Sequence, residues 1–183
     1  MKIAITGTIG SGKTEAANYL RKLGYDVFDC DKVNYQILED RAYELLFDKF
    51  SECFENKKLN KKTLANLIFK DKAKKEELES ILHPIILDEL LNRKDDPLFA
   101  EVPLLFEANW DKYFDENILI ICDEDLAIQR LENRGFTEFE AKNRILNQMP
   151  VQEKIKKATR IIYNNGSLDD LYKLIDNYLK DIC

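Results

Sequence analysis

The octapeptide GTIGSGKT, residues 7–14, follows directly on the apolar run Ile3-Ala4-Ile5. It fills every fixed position of the phosphate-binding pattern G-x-x-x-x-G-K-[ST], which works only as a loop between a strand and a helix. That order predicts an α/β protein. Gly7, Gly10 and Gly12 let the backbone take conformations closed to other residues and approach an anion with no side chain between. The backbone N–H groups around Ile9, Gly10, Ser11 and Gly12 form the expected cradle. Lys13 is placed to reach the β- and γ-phosphates, Thr14 to offer a hydroxyl to Mg²⁺, and the Glu15 amide to help hold the α-phosphate. A helix over about 14–23 aims its positive end at the same place. The expected ligand is a nucleoside triphosphate.

The chain around this loop has 183 residues, 45% of them hydrophobic, with only four prolines and six glycines. That is enough to bury a real core within one compact domain. The start of the chain runs too quickly into Gly7 to read as a signal peptide, and no apolar stretch approaches the roughly 18 residues of a membrane span. A soluble, cytoplasmic protein with no membrane partner is expected. Cys30, Cys53, Cys122 and Cys183 are scattered and His83 is the one histidine, so reduced thiols are expected rather than a zinc site or a disulfide framework. The net charge of −6 argues against a general nucleic-acid binder, and nothing points to an obligate protein partner. The charge is uneven. Residues 129–160 carry eight basic and four acidic side chains, a local excess of +4 against −10 elsewhere. A solvated helical face explains such a run, but beside a triphosphate loop an arginine-rich island also suits a lid over phosphates.

Short apolar segments at 2–6, 26–29, 98–105, 117–122 and 160–164 read as strands, with helical patterns between them. The spacing implies a five-stranded parallel sheet with helices on both faces. The last helix is signalled by Ser167 as N-cap with Asp170 three residues on, then Leu171, Leu174, Ile175, Tyr178, Leu179 and Ile182 at helical spacing. Residues 31–96 are too long and too helical for a crossover and read as an inserted lobe. The expected organisation is a nucleotide core over about 1–30, 97–125 and 160–183, the helical lobe over about 31–96, and the lid over about 126–159.

Ligands of parallel sheets bind beyond the carboxyl ends of the strands, which singles out two segments. In Asp29-Cys30-Asp31 one carboxylate can take a hydroxyl proton and the other help hold hydrated Mg²⁺; equally, Asp31 can cap the following helix. In Glu101-Val102-Pro103-Leu104-Leu105-Phe106-Glu107, Glu107 can face the site or stand as a surface glutamate after a buried strand.

The order GTIGSGKT, VFDCD, LNKKTLANLIF, LHPII, VPLLFE, ENRGFTEFEAKNRILNQMP and YNNGS runs nearly end to end. In that order the chain resembles the dephospho-coenzyme A kinases, P-loop kinases related to the nucleotide kinases. The resemblance implies a nucleotide core, an acceptor-binding helical lobe and a lid. It also implies transfer of the ATP γ-phosphoryl group to the ribose 3′-hydroxyl of dephospho-coenzyme A, giving coenzyme A and ADP. On these motifs Asp31 falls on the base, Arg134 and Arg144 on lid arginines that act with Lys13 in catalysis, and Thr14 with Asp29 on the metal side. His83, Pro103 and Glu107 fall on the acceptor side. Four positions depart from the family pattern: Tyr35 where an arginine is usual, Glu15 after Thr14, Glu101 where aspartate is common, and Tyr163 before the Asn-Asn-Gly turn. Two other readings were open on residues alone. A kinase for another small hydroxylated metabolite explains the long lobe less well; a GTP switch has only Asn60-Lys61-Lys62-Thr63, which misses the last residue of the guanine-reading motif.

Overall fold

The computed structural model describes residues 1–182; Cys183 lies outside them. The elements run β1 (Lys2–Gly7), α1 (Lys13–Lys22), β2 (Val27–Asp29), α2 (Cys30–Ile37), α3 (Tyr43–Lys49), β3 (Phe54–Glu55), β4 (Lys58–Leu59), α4 (Lys61–Lys70) and α5 (Lys72–Leu91). They continue with β5 (Leu98–Glu101), β6 (Glu116–Ile121), α6 (Glu124–Glu132), α7 (Glu138–Leu146), α8 (Val151–Lys157), β7 (Arg160–Tyr163) and α9 (Leu168–Ile182). Tertiary contacts divide the chain into two units. One comprises Met1–Phe28 and the residues from Lys94 on; the other is Asp29–Arg93.

The first unit is built on a parallel sheet in the order β2-β5-β1-β6-β7, the five-stranded sheet that the sequence leads one to expect. On one face Ile3, Ile5, Phe99, Ile118, Ile120 and Ile162 meet Ala16, Ala17 and Leu20 of α1 and Leu171, Ile175, Tyr178 and Leu179 of α9. Helix α9 carries one apolar stripe because its leucines and isoleucines recur at helical spacing. Ser167 caps it as expected, accepting from the Asp170 N–H at 3.3 Å while Asp170 accepts from the Ser167 N–H at 3.0 Å. Tyr19 fixes α1 to α9: its ring stacks on Tyr172 with centroids 4.1 Å apart and its hydroxyl donates to Asp176 at 2.8 Å. The pleat turns Ala4, Leu119 and Ile121 to the opposite face, and they too are buried, so both sides of the sheet are covered.

The register pairs Ile5 with Glu101 and Gly7 with Ile120, which sets the end of β5 beside the last turn of β1. Here the structure corrects the expected strand over 98–105, because β5 ends at Glu101. Pro103 has no N–H for a ladder. The chain beyond it curls into turns closed by Ala108 N–H to Leu104 O and Trp110 N–H to Leu105 O, both 2.9 Å.

The second unit is largely helical, with α5 as its spine against α2, α3 and α4. Leu78, Leu82, Ile86 and Leu90 of α5 are buried together with Leu64 of α4 and Leu46 of α3. It also holds a hairpin that the helical expectation missed, β3 against β4, turned by Asn56 and Lys57 at φ of 50° and 62°. Two successive positive φ values match the strand twist of a two-residue turn. Tyr43 ties it down by donating to the Lys57 carbonyl at 2.9 Å.

Candidate active site

Between β1 and α1 the loop folds back on itself: Thr8 N–H donates to Ile120 O at 3.3 Å and Ser11 N–H to Thr8 O at 3.2 Å. Gly10 and Gly12 sit at φ of 78° and 92°, in the left-handed region that side chains avoid. There is also no room for one. A Cβ on Gly12 would strike Asn164 Nδ2, and one on Gly10 would lie 2.9 Å from the Ala127 carbonyl oxygen. Asn164 and Arg130 hold the loop. Asn164 Nδ2 donates to Ser11 O at 2.7 Å, and Arg130 donates to Gly10 O at 3.3 Å and Asn164 O at 3.1 Å. Loop carbonyls are thus bound from within the protein. Gly12 is the N-cap of α1 and no side chain caps that end, so the amides of the first turn are left for an anion.

Lys13 and Thr14 meet at one carboxylate. Lys13 Nζ lies 2.6 Å from Glu101 Oε1, and the Thr14 hydroxyl donates to the same oxygen at 2.8 Å. Arg21 Nη2 stands 3.7 Å from Glu101 Oε2. The Glu101 side chain is only 6% exposed, so this charge is held in place by the groups around it. Thr6 donates to the Pro103 carbonyl at 3.5 Å, which keeps the turn after β5 against β1.

On the basic segment, Ile128, Leu131 and Ala141 of α6 and α7 form a small core of their own, against which Ile9, Phe136 and Ile145 pack. A reciprocal capping box between Thr137 and Glu140 starts α7. Arg134 is exposed in the turn after α6, and Arg144 rests its guanidinium 4.4 Å over the Phe136 ring. Beyond α7, the Ile9 N–H donates to Gln148 Oε1 at 2.9 Å and the Met149 N–H to Glu107 Oε1 at 3.3 Å. Lys154, fully buried, places Nζ 2.8 Å from the same Glu107 oxygen. Glu107 therefore has an internal partner.

Three of the expected site residues belong to the other unit. Asp29 closes β2 and is the N-cap of α2, accepting from the Lys32 N–H at 3.0 Å. Asp31 stands exposed in the first turn of that helix, and the cap is made by Asp29. His83 is half-buried in α5 before Pro84; burial lowers its pKa below the usual imidazole value, with Glu79 opposing. Tyr35 carries the Lys61 ammonium 3.1 Å above its ring centroid.

The family model of the dephospho-CoA kinases matches residues 1–170. The chain belongs to that family. A dephospho-CoA kinase of Fusobacterium nucleatum is 34% identical over 193 residues, covering 100% of this chain and 98% of its own. A solved Thermus thermophilus structure, TT1252, superposes with a TM-score of 0.87 at 34% identity, covering 100% of this chain and 98% of its own. A dephospho-CoA kinase from Campylobacter jejuni superposes at 0.74 with 29% identity, over 100% and 98% of the two chains. The family's chemistry is that of a kinase, with ATP as co-substrate. No helix among the described residues is long and apolar enough to cross a membrane.

Sequence reasoning found the loop and missed its supports. Glu101 was visible as a departure from the family pattern, Arg130 and Lys154 only as members of a basic run, and Asn164 only inside YNNGS. Gln148 gave no signal beyond its place in the lid motif, because its partner is 139 residues away.

Proposed function

We propose that this chain binds ATP in the 7–15 loop and transfers its γ-phosphoryl group to the ribose 3′-hydroxyl of dephospho-coenzyme A, releasing ADP and coenzyme A. The observation that carries this reading is the convergence of Lys13 Nζ and Thr14 Oγ1 on buried Glu101, at 2.6 and 2.8 Å, beside an uncapped α1 N-terminus. Lys13 is held where it can turn from Glu101 to a terminal phosphate as a point charge. The loop amides and the α1 dipole take the remaining anionic oxygens.

The residues present fit Mg²⁺. Thr14 hydroxyl and Glu101 carboxylate are hard oxygen donors side by side, and the described residues contain no group of three His, Cys, Asp or Glu that would make a full cage. A site completed by phosphate oxygens and water is the usual one for this ion. When bound, Mg²⁺ neutralises charge on the β- and γ-phosphoryl oxygens. Asp29, the cap of α2, is the further carboxylate assigned to this ion in the proposed reading.

The Asp29–Arg93 unit is the acceptor-binding lobe in this reading, with His83 on its acceptor side, and Pro103 and Glu107 line the acceptor side of the core. Residues 126–159 form the lid, from which Arg134 and Arg144 supply planar donors to the transferring group. Asp31 orients the acceptor hydroxyl and takes its proton late in transfer. The buried Cys53 thiol, outside any disulfide, suits a reducing compartment, the cytoplasm.

Asp31→Asn tests the assignment. Asparagine keeps the size and loses the proton acceptor. Since Asp29 makes the α2 cap, stability should stay near wild type. Turnover of dephospho-coenzyme A should fall at least about a hundredfold with ATP affinity unchanged. Full turnover in the variant removes Asp31 from the mechanism.

A further inference from the structure

Ile9 is clasped from two directions by the lid segment. Its side chain packs on the Ile128, Leu131 and Ala141 core, and its N–H donates to Gln148 Oε1 at 2.9 Å. A backbone N–H can only donate, so the carboxamide atom facing Ile9 is the oxygen. The amino end of Gln148 is thereby fixed on the other branch. It donates to no protein group among the described residues, and Gln148 is half-buried rather than waving in solvent. The backbone that carries it is pinned as well. Met149 N–H donates to Glu107 Oε1 at 3.3 Å, and the same oxygen is paired at 2.8 Å with Lys154, which is buried completely. A surface glutamine with no task would not need an anchored strap on one side and a loop amide on the other.

The position along the loop names the ligand. The α-phosphate is expected at the Glu15 amide and the β- and γ-phosphates at Lys13, so earlier loop residues lie toward the terminal phosphoryl group. We propose that Gln148 is a further catalytic residue. With its oxygen held by Ile9, its Nε2 amino group donates a hydrogen bond to an oxygen of the γ-phosphoryl group. The donor is oriented before the substrate arrives, so no reorganisation is needed as charge builds on that group during transfer. The inference rests on the proposed seat of ATP in the loop, and it assigns Gln148 to the group that leaves rather than to ADP.

Gln148→Glu keeps an acceptor for the Ile9 N–H while removing the donor and adding a negative charge. Gln148→Met removes both ends at similar length. Turnover of ATP with dephospho-coenzyme A, and ADP affinity, are measured on the same preparations alongside wild type and Lys13→Ala. Both Gln148 variants should lose on the order of 10²-fold in kcat, as for one donor to a developing oxyanion, with ADP affinity within about threefold of wild type. Wild-type turnover in Gln148→Glu would show that the side chain only ties the loop, and overturn the proposal. So would a loss of ADP affinity as large as the loss in kcat, because ADP lacks the group in question. If wild type binds no ATP, or Lys13→Ala binds and turns it over like wild type, the seat of ATP itself is wrong and the proposal falls with it.

Discussion

Lys13 and the Thr14 hydroxyl share a single carboxylate oxygen of Glu101, so the two groups that the proposed reading assigns to the triphosphate are held side by side. Arg144 is differently placed. It rests on Phe136, 4.4 Å from ring centroid to guanidinium carbon, while Arg134 is exposed in the neighbouring turn. Among the described residues neither arginine is held in a salt bridge, although the charge of Arg144 helps to lower the Glu140 pKa. Their value in the proposed reaction lies in the planar fork, which a lysine lacks. A well-placed arginine is worth roughly 10³ to 10⁵ in related phosphoryl transfers. Arg134→Lys and Arg144→Lys should therefore each lower kcat by at least about tenfold with ATP affinity little altered, read from steady-state turnover and nucleotide titration. Full turnover in both would make them surface charges and remove the lid role.

At the scale of elements, the strap from α7 into α8 depends on one buried pair. Lys154 is 0% exposed and its ammonium faces Glu107 Oε1 at 2.8 Å, while Glu107 Oε2 is buried with no hydrogen-bond partner. The contact is one of charge more than of well-aligned hydrogen bonds, since no aligned bond is made by Lys154 Nζ. Removing one member of such a pair leaves the other charged in a poor solvent, which costs about 3–5 kcal/mol, whereas removing both is far milder. Lys154→Met should accordingly lower the denaturation midpoint sharply, and adding Glu107→Gln should restore much of it. A double variant no better than the single would assign the loss to packing. This pair was illegible in the sequence for a physical reason. Lys154 sits among Lys156 and Lys157, and only the fold decides which of three lysines of one short helix turns inward. The same holds for Gln148 and Ile9, or Asn164 and Ser11, whose contacts depend on distant segments meeting. By contrast the loop, the five strands and the capped α9 follow local rules of spacing, capping and hydrophobic period. Where local rules failed, they failed on short pieces: the two-residue strands of the β3–β4 hairpin, and the end of β5, which Pro103 sets four residues earlier than the apolar run suggests.

On the scale of the whole molecule, the chain inserts Asp29–Arg93 between two strands of one sheet, β2 and β5. Each unit has its own buried core, so ligands bound to one need not stabilise the other to the same degree. The phosphate loop lies wholly in the sheet unit, together with α6, α7 and the strap that touches Ile9. The proposed division of labour makes a measurable claim about amide hydrogen exchange. ATP alone should slow exchange over residues 7–15, where N–H groups gain acceptors, and over 126–150, through Ile9 and Gln148. Dephospho-coenzyme A alone should slow exchange mainly within 29–93. The size follows mass action: a ligand at about a hundred times its Kd stabilises the binding-competent state by about 2.7 kcal/mol, enough to slow the relevant openings about a hundredfold. Lys13→Ala should abolish the ATP effect and leave the acceptor effect intact, since the lysine lies in the sheet unit. Protection of 29–93 by ATP alone, equal to that of the loop, would refute the assignment of this unit to the acceptor. Protection by dephospho-coenzyme A confined to the sheet unit would do the same and move acceptor recognition onto the turn that holds Pro103 and Glu107.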